Sequence, residues 1–190
     1  MKSLLDYIMR FSVVDKELCE NLIIELGKSE WQDHSMYTFH KGKNIKEKDI
    51  IGGLKVTTLN SPNNSLLIES LFNPIQKYIT EKGAPFYNSW EGYTPIRYNK
   101  YEPGMTMAKH VDHIYAIFEN DHGVKKGIPT LSIVGALNDD YEGGEIEMFE
   151  DTKIKLNAGE VIIFPSIFLY PHKICEVTKG TRHSFVSWVY

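Results

Sequence analysis

The sequence predicts an antiparallel β sandwich or jelly roll, mainly β, with N-terminal helices flanking one outer face. Three observations carry that fold class. The first third of the 190 residues holds two apolar stripes at helical spacing. From Tyr93 onward, short segments of β-branched and aromatic residues alternate with Gly, Pro, Asn and Asp turn signals. No Gly-rich phosphate loop opens a helix, so a nucleotide-binding fold has no support. No repeat or long linker divides the chain, and we expect a single domain over 1–190, with helical support at about 12–83 and a β core at about 93–190.

The elements follow in order. Asp15 can cap a helix whose Leu18, Leu22, Ile23 and Leu26 share one face, with Gly27 as the stop. A second helical stretch carries Leu67, Leu71, Ile75, Tyr78 and Ile79 and ends at Gly83; Pro74 inside it predicts a kink or a break. Between the two, the lysine-rich stretch His40–Asp49 reads as a mobile surface loop, followed by a strand over Leu54–Leu59. Further strands are predicted at Tyr93–Tyr101, Thr106–Ile114, Pro129–Leu137, Glu145–Phe149, Lys153–Leu156, Glu160–Pro165, His172–Val177 and Arg182–Val189.

Composition excludes several function classes. Apolar residues make up 42% and charged residues 24%, which is ordinary globular usage and argues against disorder. The net charge of −4 argues against a general nucleic-acid footprint. The uncharged run Val161–Tyr170 is too short to span a bilayer as a helix. Asp6 and Arg10 interrupt the first apolar stretch, so no secretion signal is expected and the cytoplasm is the default compartment. Cys19 and Cys175 form no disulfide framework and no CxxC pair. Asn63-Asn64-Ser65 matches a glycosylation acceptor, read here as chance.

The chemistry sits in His110-Val111-Asp112. On a strand, His110 and Asp112 project to one face while Val111 points away. His172 opens a later strand. Two imidazoles and one carboxylate are the usual facial donor set for non-haem Fe(II) with open positions; a hydrogen-bonded surface pair is the plain alternative for His110 and Asp112. Gly180 permits a tight turn between His172 and Arg182, so those two can occupy neighbouring strands. An arginine inside a barrel needs an anion. Its fork suits a carboxylate, from a ligand or from an internal Asp or Glu. Ser184 shares the face of Arg182, and Tyr101 on the preceding strand can add another donor.

These residues carry a resemblance. Tyr101-Glu102-Pro103-Gly104 followed by His110-Val111-Asp112 resembles the opening signature of prolyl 4-hydroxylase-type, Fe(II)- and 2-oxoglutarate-dependent dioxygenases. Leu131-Ser132 and the run from Leu137 to Gly143-Gly144-Glu145 are similar to that family's central strand and acidic Gly-Gly turn. Ala158-Gly159-Glu160-Val161 through Phe164-Pro165, then His172, Gly180, Arg182 and Ser184, complete the pattern over residues 93–190, with a looser likeness from residue 12.

The resemblance implies a double-stranded β-helix with Fe(II) held by His110, Asp112 and His172. It implies 2-oxoglutarate as cosubstrate, its far carboxylate meeting Arg182 with Tyr101 and Ser184 assisting. It also implies O2 consumption, release of succinate and CO2, and ascorbate as a reductant. The substrate it suggests is a prolyl residue in a peptide or protein; related cores act on free amino acids or other small molecules, and a non-catalytic metal-binding jelly roll is the rival from another class. Procollagen-type members usually carry lysine where Arg182 stands, whereas oxygen-sensing and several bacterial relatives carry arginine.

Other residues have two readings. Trp188 shares the face of Arg182 and lines the substrate entrance or fills the core; Tyr115 is a second candidate substrate contact. His113 and His183 have the wrong parity for the active face. The segments 41–48 and 119–127 read as a flap and a lid, or as solvated loops. Asp139 to Glu145 is acidic enough for calcium, but a Gly-Gly hairpin turn accounts for it.

Overall fold

The computed structural model describes residues 2–40, 43–48, 52–87, 90–113 and 128–190, with backbone alone for 36–40 and 43–48. Tyr115 and the segment 119–127 lie outside the described residues.

After a 3-10 turn at Leu4–Tyr7 come β1 (Met9–Ser12), α1 (Lys16–Leu26), β2 (Gln32–Asp33), β3 (Ser35–His40), β4 (Lys43–Lys48) and β5 (Lys55–Thr57). Helices α2 (Pro62–Ser70) and α3 (Phe72–Tyr78) follow, and a π-helical turn at Ile79–Gly83 ends the helical part. The Asp15 carboxylate accepts from the Leu18 amide at 2.9 Å, capping α1 as its position predicts. Glu25 joins α1 to α2 by accepting from Ser61 Oγ at 2.6 Å and Asn63 Nδ2 at 2.8 Å. The Asn63 amide thus has a structural partner.

The break between α2 and α3 falls at Leu71, not at Pro74. Pro74 lies in the first turn of α3, where an amide has no intrahelical acceptor and its absence costs little. Gly27 likewise remains in right-handed helical geometry, with φ −62°, so α1 ends there without a left-handed residue.

The second half contributes β6 (Arg97–Tyr101), β7 (Met107–His110), β8 (Leu131–Ala136), β9 (Glu142–Gly143) and β10 (Ile146–Met148). It continues with β11 (Thr152–Ile154), β12 (Glu160–Pro165), β13 (His172–Ile174), β14 (Val177–Lys179) and β15 (Arg182–Val189). A seven-stranded sheet runs β1-β12-β8-β15-β6-β5-β2, and a four-stranded sheet runs β11-β10-β13-β7. Every ladder is antiparallel. This is the jelly roll expected from the turn spacing.

Alternation in the large sheet sorts its residues between two cores. Leu131, Ile133, Val161, Ile163 and Phe185 pack against Leu22, Leu26, Leu67, Leu71 and Ile75 of the helices. Val134, Ala136, Ile162, Phe164 and Val186 turn the other way, to meet Ile146, Met148 and Ile174 of the small sheet. Strand β8 is therefore buried at all six positions, a central strand covered on both faces.

Several elements differ from their sequence reading. Pro95 has no amide to donate, so Tyr93 makes only an isolated bridge and β6 starts at Arg97. Strand β7 stops at His110, so Asp112 lies just beyond it. The stretch from His172 to Val177 divides into β13 and the start of β14, which pair with different neighbours. The 43–48 segment is no loop: β4 pairs with β3 from Ser35↔Lys48 to His40↔Lys43. A ribbon held by backbone hydrogen bonds needs no apolar alternation, so the lysines concealed it.

Gly135 stands directly opposite Phe185, and a Cβ there would meet Phe185 Cζ at 2.1 Å. Gly135→Ala is expected to lower unfolding stability by about 1–3 kcal/mol through overpacking. A urea unfolding midpoint equal to that of the wild type would show that the ring shifts freely.

Candidate active site

The cleft between the two sheets encloses about 360 Å³, counting its open mouth, and its lining includes His110, Asp112, His172, Tyr101, Arg182, Ser184 and Trp188. Register brings the histidines together. His172 on β13 stands directly opposite His110 on β7, and their ring centroids are 4.3 Å apart. Asp112, from the coil just after β7, completes the group: His110 Nε2 lies 3.4 Å from its Oδ1, and His172 Nε2 lies 3.9 Å from its Oδ2. One ligand atom from each residue falls within 4.8 Å of the others.

The surroundings set the ligand atoms. His110 Nδ1 lies 2.8 Å from the Ala108 carbonyl, and His172 Nδ1 lies 3.2 Å from the Tyr170 carbonyl. A carbonyl can only accept, so each Nδ1 carries a proton and each Nε2 is the ring nitrogen that would bind a metal, His110 first giving up the proton it shares with Asp112. Ser132 Oγ donates to Asp112 Oδ2 at 2.7 Å and shares a second 2.7 Å contact with Ser166 Oγ. Two imidazoles and one carboxylate, each held from behind, fit a divalent transition metal with open positions.

Charge in the group is tightly linked. Burial alone would lift the Asp112 pKa, but hydrogen bonding from His110, the charges of His172 and His110, and the Ser132 donor hold it well below the usual carboxylate range. Burial would also lower His110, yet the Asp112 carboxylate outweighs it and leaves His110 above the ordinary histidine value. Burial and the adjacent His110 charge push His172 down to about 4.

Across the cleft stands Arg182, which is 2% exposed. It pairs in register with Tyr101 on β6, and its guanidinium lies 5.0 Å from the centre of that ring. Nη1 donates to Ser184 Oγ at 2.7 Å, while Nε is buried with no hydrogen-bond partner. No carboxylate among the described residues ion-pairs with it. Gly144 leaves room for the arginine, since a Cβ there would sit 2.9 Å from Arg182 Cδ. The Gly-Gly turn thus serves packing, and among the described residues His110, Asp112 and His172 form the one potential metal-ligating group.

One expectation about placement fails. His172 and Arg182 do not occupy neighbouring strands; β13 belongs to the four-stranded sheet and β15 to the seven-stranded sheet that faces it. The turn at Gly180, with φ +76°, joins β14 to β15 instead. The outcome is more favourable for a ligand, because metal donors and cation approach from opposite walls. His183 points away from the cleft, its ring 6.3 Å from Trp31, as parity predicts. His113 is outside the converging group.

Polar lining and supporting residues also escaped the sequence reading. Arg97 and Asn99 alternate with Tyr101 along β6 and line the same cleft; the inward parity of Tyr101 was the signal that pointed to them. Ser132 figured only as part of a motif, and its bond to Asp112 joins β8 to the coil after β7, which no local spacing connects.

Residues 96–190 match the 2OG-Fe(II) oxygenase superfamily. The chain belongs to that superfamily. It is 33% identical over 98 residues to a PKHD-type hydroxylase of Alteromonas mediterranea, a match covering 50% of this chain and 42% of that protein. The aligned part thus spans less than half of that relative's length. A PKHD-type hydroxylase of Synechococcus sp. is 30% identical over 187 residues, covering 95% of this chain and 76% of the other. The fold is that of a Pseudomonas putida prolyl-4-hydroxylase, with a TM-score of 0.69 at 16% identity, over 96% of this chain and 91% of that one.

Ser132→Ala removes the donor that fixes Asp112. It is expected to weaken Mn(II) binding roughly 10–100-fold while leaving the fold intact, as read by metal titration alongside circular dichroism. Unchanged affinity would show that Asp112 is held well enough without it.

Proposed function

We propose that the chain is a 2-oxoglutarate-dependent dioxygenase that hydroxylates an unactivated C–H bond of a prolyl-type substrate. The balanced reaction joins substrate, O2 and 2-oxoglutarate to give the alcohol, succinate and CO2. The observation that carries this reading is Arg182: a buried cation opposite a metal-ligating group, with Nε unsatisfied and no acid among the described residues paired with it. A plain metal binder has no use for such a group.

His110, Asp112 and His172 would hold Fe(II) through Nε2, one carboxylate oxygen and Nε2. The bound iron supplies the oxygen activation that protein side chains cannot perform. The chain's own residues bind and position. Arg182 offers a fork to the far carboxylate of 2-oxoglutarate; Ser184, already accepting from Nη1, keeps a hydroxyl proton to donate to the same group, and the Tyr101 ring holds the guanidinium from below. Ser132 keeps Asp112 turned toward the histidines. Val134, Val186 and Ile174 wall the cleft and keep water from the reacting centre.

The prolyl-type substrate is supported by the fold shared with the Pseudomonas putida prolyl-4-hydroxylase. Trp188, 8% exposed, forms part of the wall that would meet it. A free amino acid is the second reading, favoured by the further cation Arg97 in the same cleft. Ascorbate is the expected reductant for iron oxidised without turnover. Two free cysteines are in keeping with a reducing, cytoplasmic setting, and no helix of the described residues is long and apolar enough to cross a membrane.

Arg182→Ala is expected to raise the 2-oxoglutarate concentration needed for half-maximal succinate release by roughly 100-fold, since a charged, buried pairing is lost. The Fe(II) requirement should change only a few-fold. Equal effects on both would contradict the role assigned to Arg182. In parallel, His110→Ala and Asp112→Ala should each abolish succinate release, and near-normal release from either would remove that residue from the metal group.

A further inference from the structure

The proposed reaction leaves one cation of the cleft without a task. Arg97 lies on β6 opposite Val186, and alternation turns Arg97, Asn99 and Tyr101 to the same wall. Its Nε donates to Asn99 Oδ1 at 3.2 Å, and its guanidinium lies over the Trp188 ring, 5.0 Å from the centroid. Those two contacts fix the plane of the fork. Its Nη groups make no hydrogen bond to a described residue, and no carboxylate among the described residues ion-pairs with it. Burial is the main influence on its charge and pushes its pKa down, against the pull of Tyr101 and Asp112. Arginine nevertheless keeps its proton in proteins.

Counting charge in the cleft shows what is missing. With the histidines neutral as ligands, the described lining residues carry two guanidiniums, Arg97 and Arg182, against one carboxylate, Asp112. A divalent ion and a doubly charged keto acid add equal and opposite charge. One positive charge is left without a counter-ion from the described residues, on a half-buried arginine that solvent compensates only in part. Arg182 is the cation assigned to the keto acid. Arg97 stands four residues farther along the paired strands, about 13 Å at the usual rise. It is therefore placed to address a different ligand.

Given the dioxygenase reading, on which this rests, we propose that Arg97 receives a carboxylate of the substrate. The hydroxylated carbon then belongs to a free α-amino acid or to the C-terminal residue of a chain, not to an internal residue. An internal residue presents only neutral amides to Arg97 and leaves its charge uncompensated. A carboxylate matches the fork through two charge-assisted hydrogen bonds. The Trp188 ring beneath the guanidinium gives an apolar surface for the substrate's carbon skeleton beside that anchor.

The test uses the full chain loaded with Zn(II) and 2-oxoglutarate, which cannot turn over, and reads substrate binding by calorimetry. The panel holds L-proline and other L-amino acids, their C-terminal amides, glycyl-L-proline, and an acetylated, amidated peptide with internal proline. At least one acid is expected to bind roughly 10–100-fold more tightly than its amide. Glycyl-L-proline against free L-proline distinguishes a chain terminus from a free amino acid. Arg97→Gln should abolish the preference for acid over amide, and Arg97→Lys should retain part of it. Both variants should bind Zn(II) and 2-oxoglutarate as the wild type does, which also shows that they fold. The proposal is overturned if amides or the internal peptide bind as tightly as acids, if no acid of the panel binds, or if Arg97→Gln keeps the preference. Failure of the wild type to bind 2-oxoglutarate with Zn(II) would sink the dioxygenase reading, and this one with it.

Discussion

A guanidinium buried between two sheets, with no acid among the described residues to neutralise it, is the constraint around which the cleft is arranged. Leaving Arg182 buried is expensive unless something anionic arrives. The fold reduces that cost in the ligand's absence by small means. Ser184 accepts one N–H, the Tyr101 ring lies beneath the charge, and Gly144 yields the space a side chain would have occupied. None of these supplies a negative charge. The deficit is local and directional, because Nε is left without an acceptor while Nη1 is engaged.

Sheet register turns that deficit into a site. The large sheet delivers Arg182, Ser184 and Tyr101 through the β15–β6 ladder, and the small sheet delivers His110 and His172 as a directly opposed pair. A one-residue slip in either ladder would send its side chains to the wrong face. The buried alternation in β8, β12 and β15 guards against such a slip, since each strand packs one set of residues on the helices and the other set on the small sheet. The N-terminal helices thus bear on function without contributing a residue to the cleft: they fix which face of the large sheet looks inward.

Much of this was legible in the sequence. Strands β12 and β15 have the bounds that their turn residues predict, and Asp15 caps its helix as expected. Parity along β15 put Arg182, Ser184 and Trp188 on one face, where they are found. What failed was relational. Nothing near His172 or Arg182 says that the chain crosses from one sheet to the other between them, because the break after Ile174 depends on which neighbour each half pairs with. The lysines of β4 hid a ribbon that backbone bonding alone sustains. Ser132 and Arg97 were visible as letters but became meaningful only through partners far away in the chain, Asp112 and Trp188.

The central claim is that the metal donors and Arg182, which line one cleft, take the two ends of a single keto acid. The most direct measurement is an anaerobic titration of the Fe(II)-loaded protein with 2-oxoglutarate and with 2-oxobutyrate, followed by visible absorption. Both acids can chelate iron through the keto group, but only the first carries a far carboxylate. The account predicts a weak charge-transfer band that forms with 2-oxoglutarate at concentrations on the order of 100-fold lower than with 2-oxobutyrate. Equal concentrations for the two acids, or no band with either at saturation, would contradict it.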